Sequence, residues 1–297
     1  MSTAGAPPGG GNPLLAGTGI GRRPGSGSAG RFATALPIWM AVAVALFLAL
    51  AAIAPGLLAP DDPLAINPAQ SFEGPSGTHL LGTDESGRDI YSRIIYGARS
   101  SLLIGAAATG LGLFLALLLG TVAGLGGRWA DTVIGRVLEV LFALPGLLLA
   151  LVFIALAGPG TTTTVMAVAL TTAPGYARII RAQVMALRSS AMVEAARVLG
   201  RTRTRILFGH LLPNALGPVM VLATLGLGQA VVWASSLSFL GLGAPPPAPE
   251  WGSMLAAGRT YLSLAWWMTF FPGLAIVAIA AASTVLGRAL QRRAVGA

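Results

Sequence analysis

The ionisable residues of this chain set the first limit on its chemistry. All 19 basic residues are arginine and lysine is absent. That removes a phosphate-binding P-loop lysine, a Schiff-base lysine and a lysine general base. Any work driven by ATP must then use a nucleotide site on another chain. Cysteine is absent too, so neither a disulfide nor a thiolate metal site can form. The two histidines, His79 and His210, fall in segments that should face opposite sides of a membrane, where they cannot share a metal. No His-Glu-x-x-His, Gly-x-Ser-x-Gly or paired-carboxylate arrangement occurs within the apolar stretches. No catalytic, cofactor-binding or metal-binding set is expected.

The charges that remain sit inside or beside apolar stretches. Arg136 and Glu139 are three apart and so neighbours on one helix face. Arg178 lies in the inner half of a later stretch. An ionisable group within a membrane span is costly and marks a functional position by default. Near an inner helix end, a long side chain also reaches the interface easily. Lining a pathway and anchoring a helix are therefore both open for these three residues.

The longest arginine-rich amphipathic segment is EAARVLGRTRTRILFGHLLPN, Glu194–Asn214, between two apolar stretches. Met192, Ala195, Ala196 and Leu199 recur at helical spacing. Gly200 is placed to end that helix in the left-handed conformation. Thr202 can cap a second short helix carrying Ile206, Leu207 and Leu211, and Pro213 is placed to open the next. Two short helices joined at a glycine would form a rigid knob for another protein to grip. An interfacial loop of ordinary positive-inside arginines fits the same residues.

The positioning elements read as membrane spans. The composition is 55% hydrophobic and 10% charged, with a mean hydropathy of +0.76, far from a soluble domain's balance. The net charge of +9 comes from arginines between and beside apolar stretches, which fits membrane orientation rather than nucleic acid. Residues 1–36 are rich in Gly, Pro, Ser and Ala and read as a disordered cytoplasmic tail. Residues 37–297 read as the transmembrane domain. A first span is expected near Leu36–Ala59, long enough to cross. A cleaved leader ending near Ala52 or Ala54 competes, but the long tail and the later spans oppose it.

A polar segment then runs to about Ser100 with six acids, Asp61, Asp62, Glu73, Asp84, Glu85 and Asp89. It should face outward, with a short surface helix around Ile90–Ile95. Further spans are expected near Ser101–Leu125 and Thr132–Ala157, the latter kinked at Pro145. Three more follow near Val165–Met185, interrupted at Pro174 and Gly175, then Leu216–Phe239 and Met268–Leu286. Six crossings place both termini and the arginine-rich loop, between the fourth and fifth spans, in the cytoplasm.

The Glu194–Asn214 segment resembles the EAA loop of bacterial ABC-importer permeases. Glu194, Ala195, Ala196, Gly200, Leu212 and Pro213 fall at matching positions, and His210 stands where isoleucine is usual. His-Leu-Leu-Pro-Asn is the form in the dipeptide, oligopeptide and nickel branch. HLLGTDESGRDIYSRIIYGARSSL (His79–Leu102), SLSFLGLG (Ser236–Gly243) and APEWGSML (Ala248–Leu255) resemble the same branch.

The resemblance implies an all-α polytopic permease with its core at about residues 98–290, in the bacterial plasma membrane. It implies a homologous second permease, two cytoplasmic ATPase subunits gripping the EAA loops, an extracytoplasmic solute-binding protein, and no nucleic acid or cofactor. Peptides are the expected cargo, with nickel, opines or sugars as alternatives. Many relatives carry a glutamate where Ala234 stands here, so charge gives no guide to the solute. A secondary transporter would need ion-coupling groups in mid-membrane, and this chain has few.

A cysteine-free background makes the topology directly testable. Arg201→Cys should react only from the cytoplasmic side, and cysteines at Glu73 and Glu250 only from outside. Labelling of Arg201→Cys from outside would overturn the topology.

Overall fold

The computed structural model describes residues 29–59 and 61–295. The first 28 residues of the expected tail, and the side chains of His210, Leu211 and Leu212, lie outside the described residues. Among the described residues the architecture is all-α. In chain order the helices are α1 (Ala29–Ile53), α2 (Ile90–Leu125), α3 (Gly127–Ala143), α4 (Gly146–Ala157), α5 (Thr161–Arg188), α6 (Ala191–Val198), α7 (Arg203–Ile206), α8 (Leu212–Phe239), α9 (Trp251–Gly258) and α10 (Trp267–Val295). Residues 37–297 form one compact unit.

Four stretches are each long and apolar enough to cross a membrane: Leu36–Ile53, Ile90–Leu125, Gly217–Phe239 and Trp267–Arg293. The pair α3 and α4 makes a fifth if it is counted as one bent span. Helix α5 has 28 residues, a length of about 42 Å, but its threonines and arginines keep it less apolar than the rest.

Several expected boundaries move. The short surface helix at Ile90–Ile95 is the first turns of α2, whose 36 residues extend about 54 Å. Asp89 caps it by accepting from the Ser92 N–H at 2.8 Å. The span expected at Thr132–Ala157 is two helices at 94°. Leu144 and Pro145 are both extended between them (ψ 136° and 128°), because proline forces the residue before it out of the helical region. By contrast, α5 runs unbroken through Pro174, which is buried against its neighbours; packed membrane helices tolerate such a proline.

Helices α2 and α5 form the tightest pair. On α2 the small residues Ala108, Gly112, Ala116, Gly120 and Gly124 recur every fourth position and all are buried. They meet Ala169, Ala173 and Ala177 of α5, which are also buried. Lipid supplies no hydrophobic drive between helices, so association depends on close backbone approach and contact. At Gly120 a Cβ would stand 2.8 Å from the Ala177 carbonyl oxygen, which is backbone and cannot turn aside.

The loop from Asp61 to Asp89 packs as a cap over one end of the helices. Arg88 pairs with Asp84 at 2.7 Å and with Glu85 at 2.9 Å, and the Trp267 indole N–H donates to the Thr83 carbonyl at 3.0 Å. Glu250 is 1% exposed, so it is a structural group and a poor labelling site. Its carboxylate caps α9, accepting from the N–H groups of Gly252 and Ser253, both at 2.8 Å. The exposed neighbour Ala248 is the better reporter for that loop.

Gly120→Val should lower the thermal unfolding midpoint of the detergent-purified protein well below that of a Leu118→Val control on the exposed face. Overpacking of this kind costs about 1–3 kcal/mol, and an unchanged midpoint would contradict the close α2–α5 contact.

Candidate functional site

The segment Glu194–Asn214 forms the end of the molecule where α2 and α5 terminate. Helix α6 buries Val193 and Ala196, which pack with Ile206 and against Leu125 and Leu187. Its opposite face carries Met192, Glu194, Ala195, Val198 and Leu199, all exposed; Val198 is 83% and Leu199 78% exposed. The stripe read from the sequence therefore divides, with Ala196 inward and Met192, Ala195 and Leu199 outward. The reason is that Val193 is one residue off that stripe and is the better anchor for the inner face.

Gly200 ends α6 at φ +73°. The Gly200 N–H donates to the Arg197 carbonyl at 2.9 Å and the Arg201 N–H to the Ala196 carbonyl at 3.1 Å. That is the paired closure of a glycine-terminated helix. Thr202 Oγ1 accepts from the Arg205 N–H at 3.4 Å, a long capping contact. The second short helix is not separate: α7 passes through a π turn, Leu207–Leu211, directly into α8. Pro213 is the second residue of α8 rather than the start of a new helix. It has no N–H for the Gly209 carbonyl four residues back, and the wider turn absorbs the mismatch. Beside the knob lies a cleft of about 750 Å³ lined by Arg188, Arg197 and Arg201 with Leu125, Thr204, Ile206 and Leu207.

The three charges singled out in the spans divide in two. Arg136 and Glu139 pair with each other at 2.8 Å on α3, with side chains 78% and 59% exposed. Arg178 instead lies over the Phe142 ring, 4.6 Å from its centroid. Another pair, absent from the sequence reading, ties α3 to α5: the Arg181 guanidinium grips Asp131 with two hydrogen bonds, the Nη2 one at 2.8 Å.

A second cleft, of about 220 Å³, opens where α3 breaks from α4. Phe142, Gly146, Thr171, Thr172, Gly175, Tyr176, Gln229 and Trp233 line it. Sequence reasoning passed over Gln229, although it is the only amide side chain between Gly217 and Phe239. Thr171 and Thr172 each donate to the Val168 carbonyl at 2.9 Å. The Tyr176 hydroxyl lies against Gly226, where a Cβ would approach it to 2.6 Å.

Long apolar helices around a small-residue seam, with a compact amphipathic loop at one end, define the membrane-embedded subunit of a transporter. Solved structures show the same fold: the inward-facing methionine ABC transporter MetNI matches with a TM-score of 0.53 at 18% identity, over 67% of this chain and 96% of that one. Residues 116–296 match the family described as the binding-protein-dependent transport system inner membrane component, and the chain belongs to that family.

Its curated relatives include the dipeptide transport system permease protein DppC of Alkalihalophilus pseudofirmus, 40% identical over 250 residues, 84% of this chain and 82% of that protein. The di/tripeptide transport system permease protein DppC of Pseudomonas aeruginosa is 42% identical over 240 residues, 79% of each chain. The glutathione transport system permease protein GsiD of Pectobacterium atrosepticum is 42% identical over 219 residues, 74% of this chain and 73% of that one. The resemblance read from the EAA-like segment and its companion motifs thus stands. This is a multi-pass permease of an ABC importer, a transport subunit rather than an enzyme.

Proposed function

We propose that this chain forms half of the translocation pathway of an ATP-driven peptide importer in the bacterial plasma membrane. The other half is a homologous permease. Two ATPase subunits dock from the cytoplasm, and an extracytoplasmic binding protein delivers the peptide to the outer cap. The relatives at about 40% identity that handle dipeptides, tripeptides and glutathione favour peptide cargo over nickel, opines or sugars. In this reading α1, α2, the bent pair α3–α4, α5, α8 and α10 make six crossings. The termini and α6 then face the cytoplasm.

The observation that carries the coupling assignment is the two-sided construction of α6. Its inner face is fixed by Val193 and Ala196 to the ends of α2 and α5. Its outer face presents Met192, Ala195 and Leu199 with Glu194, an exposed apolar ridge carrying one charge. Eight residues span about 12 Å, so α6 moves as one body when a partner pushes it. Force applied at the ridge passes through Leu125 and Leu187 into the α2–α5 pair, and so into the pathway. Glu194 lies in the first turn of α6, where a negative charge is favoured by the helix dipole. His210, Leu212 and Pro213 belong to the segment that turns the loop back into α8. Arg136 and Glu139 anchor α3 at the membrane surface, while Arg178 is held at the edge of the mid-helix cleft by Phe142.

The test is coupling without loss of folding. A Cβ at Gly200 meets nothing within 4 Å, so Gly200→Val strains only the left-handed turn, by about 1–2 kcal/mol. The variant should insert and assemble in the membrane yet lose at least about tenfold in ATP-coupled peptide uptake (about 1.4 kcal/mol). Gly200→Asn, which tolerates the left-handed conformation, should restore most of it. Glu194→Arg should impair uptake alongside Gly200→Val. Full uptake by both Glu194→Arg and Gly200→Val would remove the coupling role.

A further inference from the structure

The mid-helix cleft carries an inference beyond the coupling loop. We infer that Thr171, Thr172, Tyr176, Gln229 and Trp233 form a contact station for the peptide main chain halfway across the membrane, one that takes backbone amides rather than side-chain charges. The inference rests on the importer reading above and names the part of this chain that touches the cargo.

Depth comes from helix geometry. The Gly160 N–H and the Thr164 hydroxyl donate to the Leu242 carbonyl at 3.1 Å and 3.2 Å. The Thr161 end of α5 and the Phe239 end of α8 therefore lie at one level. Thr171 is ten residues from that end along α5, and Gln229 is ten residues from it along α8. At 1.5 Å per residue both sit about 15 Å deep, half of a hydrocarbon layer about 30 Å thick. Helix α4, with 12 residues, reaches only about 18 Å, so its break at Pro145 opens the wall at the same depth.

The chemistry of the lining selects the ligand. Gln229 is exposed on the isolated chain and has no hydrogen-bond partner among the described residues. A primary amide with two donors and an acceptor is not stable against lipid hydrocarbon without partners, so it faces water, cargo or both. The hydroxyls of Thr171 and Thr172 are already committed as donors to Val168, which leaves their oxygens as acceptors. The Tyr176 hydroxyl adds a group of either sense. Among the described residues that line the cleft none is ionised, and the Arg178 guanidinium at its edge is stacked over the Phe142 ring.

This set matches the peptide main chain, which carries a C=O acceptor in each repeat and an N–H donor in each except proline. It offers no carboxylate or imidazole for a metal ion and no fixed charge to favour one side chain. Trp233 and Phe142 supply flat apolar walls for whatever side chains pass. A volume of about 220 Å³ is below the range of about 300–1,000 Å³ for drug-sized ligands, so this half holds a short section of cargo against the facing permease. Few neutral contacts also suit a passage that must release what it holds.

The experiment uses the complete importer in proteoliposomes, with trialanine as the probe. Import of trialanine by the unmodified complex tests the importer reading and comes first. In the importing complex, Gln229→Cys and Trp233→Cys should react with a charged, water-soluble thiol reagent, and saturating trialanine-loaded binding protein should slow that reaction during turnover. Met220→Cys, exposed on the same helix but outside the cleft, should react at least tenfold more slowly. If Gln229→Cys and Trp233→Cys stay unreactive while Ala248→Cys in the outer loop is modified, the station does not exist.

Main-chain recognition is read separately. Trialanine and its backbone N-methylated analogue are compared, each at a concentration that saturates the binding protein. The unmodified complex should favour trialanine by up to about tenfold, the scale of one hydrogen bond. Gln229→Leu should collapse that preference, and Gln229→Asn should recover part of it. A preference unchanged in Gln229→Leu would show that the cleft does not read peptide amides.

Discussion

The seam between α2 and α5 is the contact on which the rest of this molecule depends. Two long helices meet through Ala108, Gly112, Ala116, Gly120 and Gly124 on one side and Ala169, Ala173 and Ala177 on the other. Small residues let the backbones approach closely enough for contact energy to hold the pair in lipid. Polar ties then fix the end where α2 and α5 terminate: the Arg188 guanidinium donates to the Gly124 carbonyl at 3.2 Å, and Arg181 grips Asp131 on α3. Both proposed regions adjoin this seam. One end supplies Leu125 and Leu187 for α6 to lean on, and the middle of α5 supplies Thr171, Thr172 and Tyr176 to the mid-helix cleft.

A rigid seam connecting the two regions gives coupling a physical route. The α6 ridge cannot shift without moving Val193 and Ala196, and these are packed on the ends of α2 and α5, the second of which also walls the cleft. The opposite wall is less constrained. Pro145 breaks α3 from α4 at 94°, and Arg178 over Phe142 with Arg181 on Asp131 tether the broken segment to α5. The cleft therefore lies between α5 and α8 on one side and the bent pair α3–α4 on the other.

The opposite end of the helices is closed by a different device. Trp251 and Glu250 are both buried and lock α9 onto α2: the Trp251 indole donates to the Ile94 carbonyl at 3.0 Å, and Ser101 Oγ donates to Glu250 at 3.3 Å. The acidic loop Asp61–Asp89 is held by its own Arg88 and by Trp267. Arg88 and Arg93 sit beside Asp84 within this cap, so much of its polarity is consumed in internal contacts.

The sequence by itself determined that this is a helical membrane permease of the importer family, and it marked out Glu194–Asn214 as the segment to which the coupling role is proposed. Apolar stretches are local signals, and so is a helix stop: Gly200 takes φ +73° because a chain turning out of a helix needs a residue free of Cβ strain. Motifs of fixed spacing carried the family for the same reason. What the tertiary structure decided was which side of each element faces what. Periodicity put Met192, Ala195, Ala196 and Leu199 on one stripe, but only the packing of Val193 and Ala196 on Ile206 shows which residues point away. Pro145 and Pro174 look alike in sequence, yet one breaks the chain at an unsupported turn and the other is carried through by surrounding helices. Gln229 and Tyr176 acquire meaning only once helices distant in sequence bring them to one cleft. Glu250 reads as a loop charge and proves to be a buried cap. Each of these outcomes depends on contacts between residues far apart in the chain, to which hydropathy and spacing are blind.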